Sequence, residues 1–269
     1  MQIRFEAVEN SAQIAAIGGD MSLVFPESLA KTVDAVNDSL FFGRSLTTGD
    51  REEVANWITA RHGVSGCYAN TFAPFPDEVR DGIQVFTGER CKSASGRHII
   101  GEEACRVLRQ LNSTSTKTHD AVEEATRSLD IGPAELPSGM DPRPSDGKVH
   151  WLWPYRGGTF CCGACTVGMW RHLLAGGFDH AEVRLTRGLT CLHDCRKGNG
   201  QWRVFPFWYT LLALIEMNIP EARHELQYAG RQLEAAAKQF PEDQALGTVP
   251  ARPWPARRAE LARRALSRI

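Results

Sequence analysis

The chain lacks a long apolar run. Its 269 residues hold no stretch approaching the roughly 18–20 apolar residues that cross a bilayer, so no membrane span is expected. It lacks an excess of either charge. Lys and Arg number 31 against 32 Asp and Glu, which gives no ground for nucleic acid as a partner. It lacks a basic segment followed by an apolar one at its start, where Glu6, Glu9 and Asp20 stand instead. A cytoplasmic protein is the expectation. Strand signals are sparse, and only Ile3 to Val8 alternates loosely, as a short strand or an ordered arm. The eight cysteines are dilute in a chain without a leader, so reduced thiols are expected rather than a disulfide scaffold.

What is present is helical periodicity. Ile100, Ala104, Val107, Leu108 and Leu111 share one helical face. Val167, Trp170, Leu173 and Leu174 mark a second helix, which Gly176-Gly177 stops. Leu185, Leu189 and Leu192 mark a third, ended by Gly198-Asn199-Gly200. Trp208 to Met217 is apolar nearly all round, as a buried helix is. Ala222 to Ala236 follows Pro220, which suits a first turn. Earlier, Pro26 to Leu40 and Arg51 to Arg61 read as amphipathic helices, the second capped by Asp50. Between residues 132 and 158 five prolines predict a long loop, whose second half, Val149 to Trp153, is too aromatic to be solvated.

Three segments repeat one plan, an amphipathic helix, a loop with glycine and aromatics, then a more apolar helix. The first runs from Arg51 to Leu111, the second from about His119 to Ala175, the third from Ala181 to Met217. A lone amphipathic helix cannot bury its face, and stacked hairpins solve that problem. The expected organisation is an N-terminal arm and helix over 1–49, a helical-hairpin repeat domain over 50–240 and a basic tail over 241–269. In its arginine-rich part, over 252–268, Arg252, Arg257, Arg258, Arg263, Arg264 and Arg268 face only Glu260. A solvated helix end is expected there, with a docking arm for an acidic partner or an anionic surface as the alternative.

The third unit, Lys197-Gly198-Asn199-Gly200-Gln201-Trp202 followed by Phe205-Pro206-Phe207-Trp208-Tyr209-Thr210, resembles the Gly-Gln-Trp loop and inner helix of the prenyltransferase and squalene-cyclase repeat. The second, Gly157-Gly158-Thr159-Phe160-Cys161-Cys162 leading to Trp170, is similar in layout. The resemblance covers about residues 50 to 240 and is strongest from 155 to 217. It implies an all-α fold, the α/α toroid of two concentric helical layers, with an isoprenoid substrate at the wide end. Three or four hairpins cannot close a full ring, so a partial toroid is expected, or one completed by the N-terminal helices or by another subunit in a homo-oligomer. In the protein-modifying members, zinc is held by an Asp, a Cys and a His at the starts of inner helices. Here Cys161 and Cys162 stand near the first two places, and the aromatic run Phe205 to Tyr209 occupies the third. The Asp-rich acid motif of the cyclases is absent too, so no metal and no cofactor are assigned.

The densest reactive cluster is Cys161, Cys162, Cys165, Cys191, His193 and Cys195. Cys161/Cys165 and Cys191/Cys195 are spaced i, i+4 and lie in pairs on helical faces. Metal signatures space ligands two apart in paired knuckles, a pattern not repeated here, and buried apolar packing is the other use of such thiols. A thiol with an imidazole base is a second chemistry. Matching Arg106 with Arg171 overlays the first two inner helices and places His98 beside Cys162-Gly163, with Glu102 or Glu103 to orient the ring and a helix N-terminus to acidify the thiol.

The rings of Tyr68, Phe72, Tyr155, Trp202, Phe207 and Trp208 are expected either in the core or around a pocket for an unsaturated or cationic ligand. Arg156, next to Gly157-Gly158, is placed to hold a phosphate. The expected function is an enzyme acting on a hydrophobic, isoprenoid-like small molecule. Cys161, Cys162, Cys165 and His98 would stand at the chemistry, with Tyr209 as proton donor. The alternative is a non-catalytic repeat protein that binds a peptide or protein on its concave face.

Overall fold

A computed structural model describes residues 22–92, 94–130, 158–239 and 253–269. The expected strand or arm at Ile3–Val8, most of the proline-rich loop, and the site candidates Tyr155 and Arg156 lie outside the described residues. Among the described residues the fold is all-α apart from one short hairpin, β1 (Ile83–Gln84) with β2 (Arg90–Cys91), paired antiparallel. Its helices are α1 (Leu29–Phe41), α2 (Thr48–Thr59), α3 (Pro76–Asp81), α4 (Ala94–Leu111), α5 (Thr116–Leu129), α6 (Gly163–Ala175), α7 (Ala181–Asp194), α8 (Phe207–Glu216), α9 (Pro220–Gln239) and α10 (Trp254–Leu266). None of the described helices is long and apolar enough to cross a membrane.

The periodic stretches became helices close to where the pattern put them. Two boundaries differ for a local reason. α2 begins earlier than expected, because Thr47 caps it and Asp50 closes a reciprocal capping box by accepting from the Thr47 N–H at 2.9 Å. α1 begins later than Pro26, at a Ser28 cap, and Glu78 accepts hydrogen bonds from both the Ala30 N–H (2.8 Å) and the Phe75 N–H (2.7 Å). One carboxylate therefore ties the starts of α1 and α3 together, where unpaired N–H groups favour an anion.

The more apolar helices of the three expected units form a row in which α4 packs on α6 and α6 on α8. By contrast α5, expected to pair with α6, packs mainly on α4, and α7, expected to pair with α8, packs mainly on α6 and α9. α1 extends the row beside α4, and α10 extends it beside α8. The more polar helices flank it, with α2 and α5 against α4, α7 against α6, and α9 against α7 and α8. Trp170 of α6 is fully buried, stacks on Phe205 at 5.6 Å, and donates its indole N–H to the Gly158 carbonyl at 2.8 Å.

The Arg-rich segment, expected as a solvated helix end, is the packed helix α10. Arg257 is 4% exposed and binds Asp34 (2.8 Å) and Asp38 (2.8 Å) of α1, so the last helix returns to the first. The Asp34 and Asp38 carboxylates lie far from Arg257 in sequence, so its partners are not visible in the charge pattern of the segment itself. Arg263 and Arg264 keep partly exposed side chains and pair with Glu260.

Between the row's helices lies an ion network. Arg171 of α6 and Arg106 of α4 both grip Glu216 of α8, at 2.9 Å and 2.7 Å. Arg171 also pairs with Glu103, which accepts the Tyr209 hydroxyl at 2.6 Å, while Arg106 donates to Asn37 at 2.6 Å. The Arg106/Arg171 correspondence used to overlay two units in sequence is thus a physical one: both guanidinium groups meet at one carboxylate.

Candidate functional site

Two helix starts converge on one point. His98 stands at the beginning of the second turn of α4, Cys165 in the first turn of α6, and Cys161 and Cys162 immediately before α6. Donor atoms of His98, Cys161 and Cys165 lie within 4.8 Å of one another. The Cys165 sulfur is 3.6 Å from His98 Nδ1 and shares a 3.4 Å hydrogen bond with the Cys162 sulfur. Cys161 is exposed, Cys162 and His98 half-buried, and Cys165 buried, so the cluster runs from the surface inwards.

Local chemistry builds this arrangement. Cys162 is the N-cap of α6, in extended conformation, and contributes no oxygen to cap it. The N–H groups of Ala164 and Cys165 at the start of α6 favour its ionised form without closing a cap bond to the sulfur. Gly163, between the thiols, touches the Val204–Phe205 backbone so closely that a Cβ would overlap the Val204 carbonyl. Cys161 has φ +21°, outside the comfortable range for a residue with a Cβ. On the other side, Tyr68 packs its ring 4.0 Å from that of His98, and Phe160 packs at 5.1 Å. The imidazole is thereby held by two aromatic faces.

The environment separates the groups electrostatically. The Cys165 thiol, donating to Cys162 when Cys162 ionises, and the backbone N–H groups bring Cys162 down to about 6 against the effect of burial. That same hydrogen bond, together with burial, pushes Cys165 up. Burial raises Cys161 and lowers His98, the latter opposed by the charge of Glu102. Glu102 itself meets His172 Nδ1 at 2.6 Å in the core, and Glu103 belongs to the ion network. The expected orienting bond from either carboxylate to His98 is replaced by the aromatic contacts.

The other candidates lie elsewhere. Tyr209 was expected as a proton donor, but it is fully buried, donates to Glu103, and is raised well above the phenol range by burial and by the Glu103 charge. Phe72 is 0% exposed and belongs to the core, beside the ring of His62. Trp202 is 2% exposed, stacks on Phe207 at 5.9 Å and donates to Glu225 at 2.8 Å. Trp208 packs edge-on against Phe207 and lies beneath Arg258. Trp202, Phe207 and Trp208 pack the start of α8 against α9 and α10. Cys191 and Cys195 are buried on α7, and burial lifts both thiols. His193 faces Glu225 at 3.4 Å.

A cavity of about 210 Å³ lies at the opposite ends of α4 and α6, among Leu108, Arg109, Ser113, Thr118, His119 and Ala175. It has no Phe, Tyr or Trp in its wall, so it is not the aromatic-lined cavity expected from the sequence. Two features of the thiol site were overlooked in the sequence. Cys162-Gly163-Ala164-Cys165 is a two-residue cysteine spacing, obscured by attention to the i, i+4 pair Cys161/Cys165. Phe160, adjacent to Cys161, carried no signal of its proximity to His98.

Two thiols and an imidazole form a soft donor set of the kind that binds zinc. Ligands held at about 2.3 Å (sulfur) and about 2.0 Å (nitrogen) by a tetrahedral ion stand about 3.6 Å apart, and the Cys165–His98 separation is 3.6 Å. No protein-family model matches this chain, and no curated protein or solved structure matches it either.

Proposed function

We propose that His98, Cys161 and Cys165 hold a zinc ion, and that this centre is the reactive site of an α/α-toroid enzyme acting on a hydrophobic, isoprenoid-like small molecule. The observation that carries the reading is the convergence of one imidazole and two thiols from the starts of α4 and α6 within 4.8 Å. The donor chemistry fits: one half-buried nitrogen and two sulfurs, with Cys162 beside them at 3.4 Å from Cys165. The row of inner helices with flanking partners, and the return of α10 to α1 through Arg257, support the toroid.

When bound, zinc supplies Lewis acidity and keeps a coordinated thiol deprotonated near neutral pH. The chain's own residues set the rest. Tyr68 and Phe160 fix the His98 ring and present apolar faces beside the donors, a surface suited to an unsaturated hydrocarbon. The exposure of Cys161 leaves the centre open to solvent on one side. The competing reading, a non-catalytic repeat protein, draws its support from the core positions of Phe72, Trp202 and Tyr209.

Zinc content of the full chain after exchange into metal-free buffer tests the proposal. About one zinc per chain is expected in the wild type, with at least a tenfold loss in His98→Ala. Equal and negligible zinc in both would refute it. Farnesol titrated against the zinc-loaded chain is expected to protect Cys161 from alkylation, and to fail to do so in Tyr68→Ala. Protection in neither protein would leave a metal centre without the proposed substrate class.

A further inference from the structure

The metal set leaves one thiol over. Cys162 lies outside the group of three convergent donors, yet its sulfur is the close neighbour of Cys165, at 3.4 Å. Formation of an S–S bond of about 2.0 Å needs the sulfurs to approach by roughly 1.4 Å. Cys162 is free to make that approach: it precedes α6 as its N-cap, and its side chain makes no capping bond to an N–H of the kind an oxygen would lock. Gly163, with no Cβ, leaves room for the turn between the two cysteines where the Val204–Phe205 backbone crosses it. Cys162 is half-buried beside the exposed Cys161 and can be reached from solvent, and the buried Cys165 lies directly behind it.

We propose that Cys162 and Cys165 are a redox-active dithiol that closes to a disulfide and thereby withdraws Cys165 from the metal site. The dithiol half stands on the sulfur geometry alone, and the metal half rests on the zinc reading above. The oxidant class is a low-molecular-weight disulfide. The Cys162 sulfur attacks one sulfur of oxidised glutathione, breaking its S–S bond and releasing one glutathione as thiolate. The Cys165 sulfur then attacks Cys162 in the mixed disulfide, forming the internal S–S bond and expelling the second glutathione. The two electrons go to the glutathione disulfide. In the metal-free chain the two cysteine protons go to the two glutathione thiolates; in the zinc-loaded chain, where Cys165 is already a thiolate, the second glutathione takes its proton from water as the ion leaves. With Cys165 oxidised, only His98 and Cys161 remain of the three donors, and two ligands do not hold zinc against a chelator.

The experiment exposes the full, zinc-loaded chain to oxidised glutathione, traps residual thiols with iodoacetamide, and follows zinc with a chromogenic chelator. The peptide containing Cys161, Cys162 and Cys165 is expected to lose about 2 Da and carry a single alkyl group, while zinc is released in step and returns to the protein after reduction. Cys161→Ser is expected to retain the linkage, and Cys162→Ser to lose it and to release zinc at least tenfold more slowly under the same oxidant. Three alkyl groups on that peptide, or a link placed between Cys191 and Cys195, would overturn the dithiol. A disulfide that forms while zinc stays bound would overturn the coupling. A disulfide that forms in a chain that never carried zinc would refute the zinc reading and the coupling together, and would leave the dithiol standing.

Discussion

The N-terminal ends of α4 and α6 and the middle of the same two helices both hold clustered polar side chains, and they use them in opposite ways. In the middle, Glu103, Arg106, Arg171, Tyr209, Glu216 and Asn37 pair with one another, each charge facing an opposite charge or a hydrogen-bond donor. At the start, Cys161, Cys162, Cys165 and His98 gather donor atoms of one kind, soft lone pairs, close to one another. A closed set of opposite partners holds a fold together. A convergent set of like donors is what the proposed metal ion would complete. Burial alone does not separate the two regions, since Cys165 and Arg171 are both buried; the complement of partners does.

The largest expected effect belongs to the closed network. Arg171→Leu leaves Glu103 short of its charge partner and Glu216 with Arg106 alone. It should cost about 3–5 kcal/mol in urea unfolding, with zinc per folded chain unchanged. A loss below about 1 kcal/mol would mean that the network does not hold the inner helices together.

Acid should act on the same network. Burial opposes ionisation of Glu216, but the charges and hydrogen bonds of Arg106 and Arg171 overcome it and hold the carboxyl below its ordinary 4.5. A folded value below the unfolded one gives stability that is present above 4.5 and is lost as pH falls through the folded value. Urea midpoints followed downwards from pH 7 should therefore fall in the acid limb, and Glu216→Gln should flatten that limb. An unchanged acid slope in the variant would remove Glu216 from the account.

The smallest effect sharpens the contrast. Cys161→Ala changes an exposed side chain at the open edge of the donor set, so metal-free stability should shift by no more than about 0.5 kcal/mol. Zinc retention should nevertheless fall. A large loss of metal-free stability would make the thiol cluster a structural element like the network beneath it.

The sequence by itself determined the helices, because burial of an apolar stripe imposes a period that is visible residue by residue, as in Ile100 to Leu111 and Ala222 to Ala236. It also carried the correspondence of Arg106 with Arg171 and, through it, the approach of His98 to the cysteines before α6. Caps at Thr47 and Ser28 moved boundaries by a few residues, since a side-chain oxygen bonding one N–H decides where a helix starts. Only the tertiary structure decided which polar and aromatic residues had partners. Tyr209, Trp202 and Phe72 looked like pocket residues because large rings are used both in cores and in sites; their neighbours Glu103, Glu225 and His62, distant in the chain, assign them to the core. The basic segment looked unpaired because Asp34 and Asp38 lie more than two hundred residues away from Arg257. Periodicity is a local property and can be read along the chain. The partner of a charge, a ring or a thiol is set by which helices pack side by side, and for α1, α4, α6, α8 and α10 that is fixed only when the row is assembled.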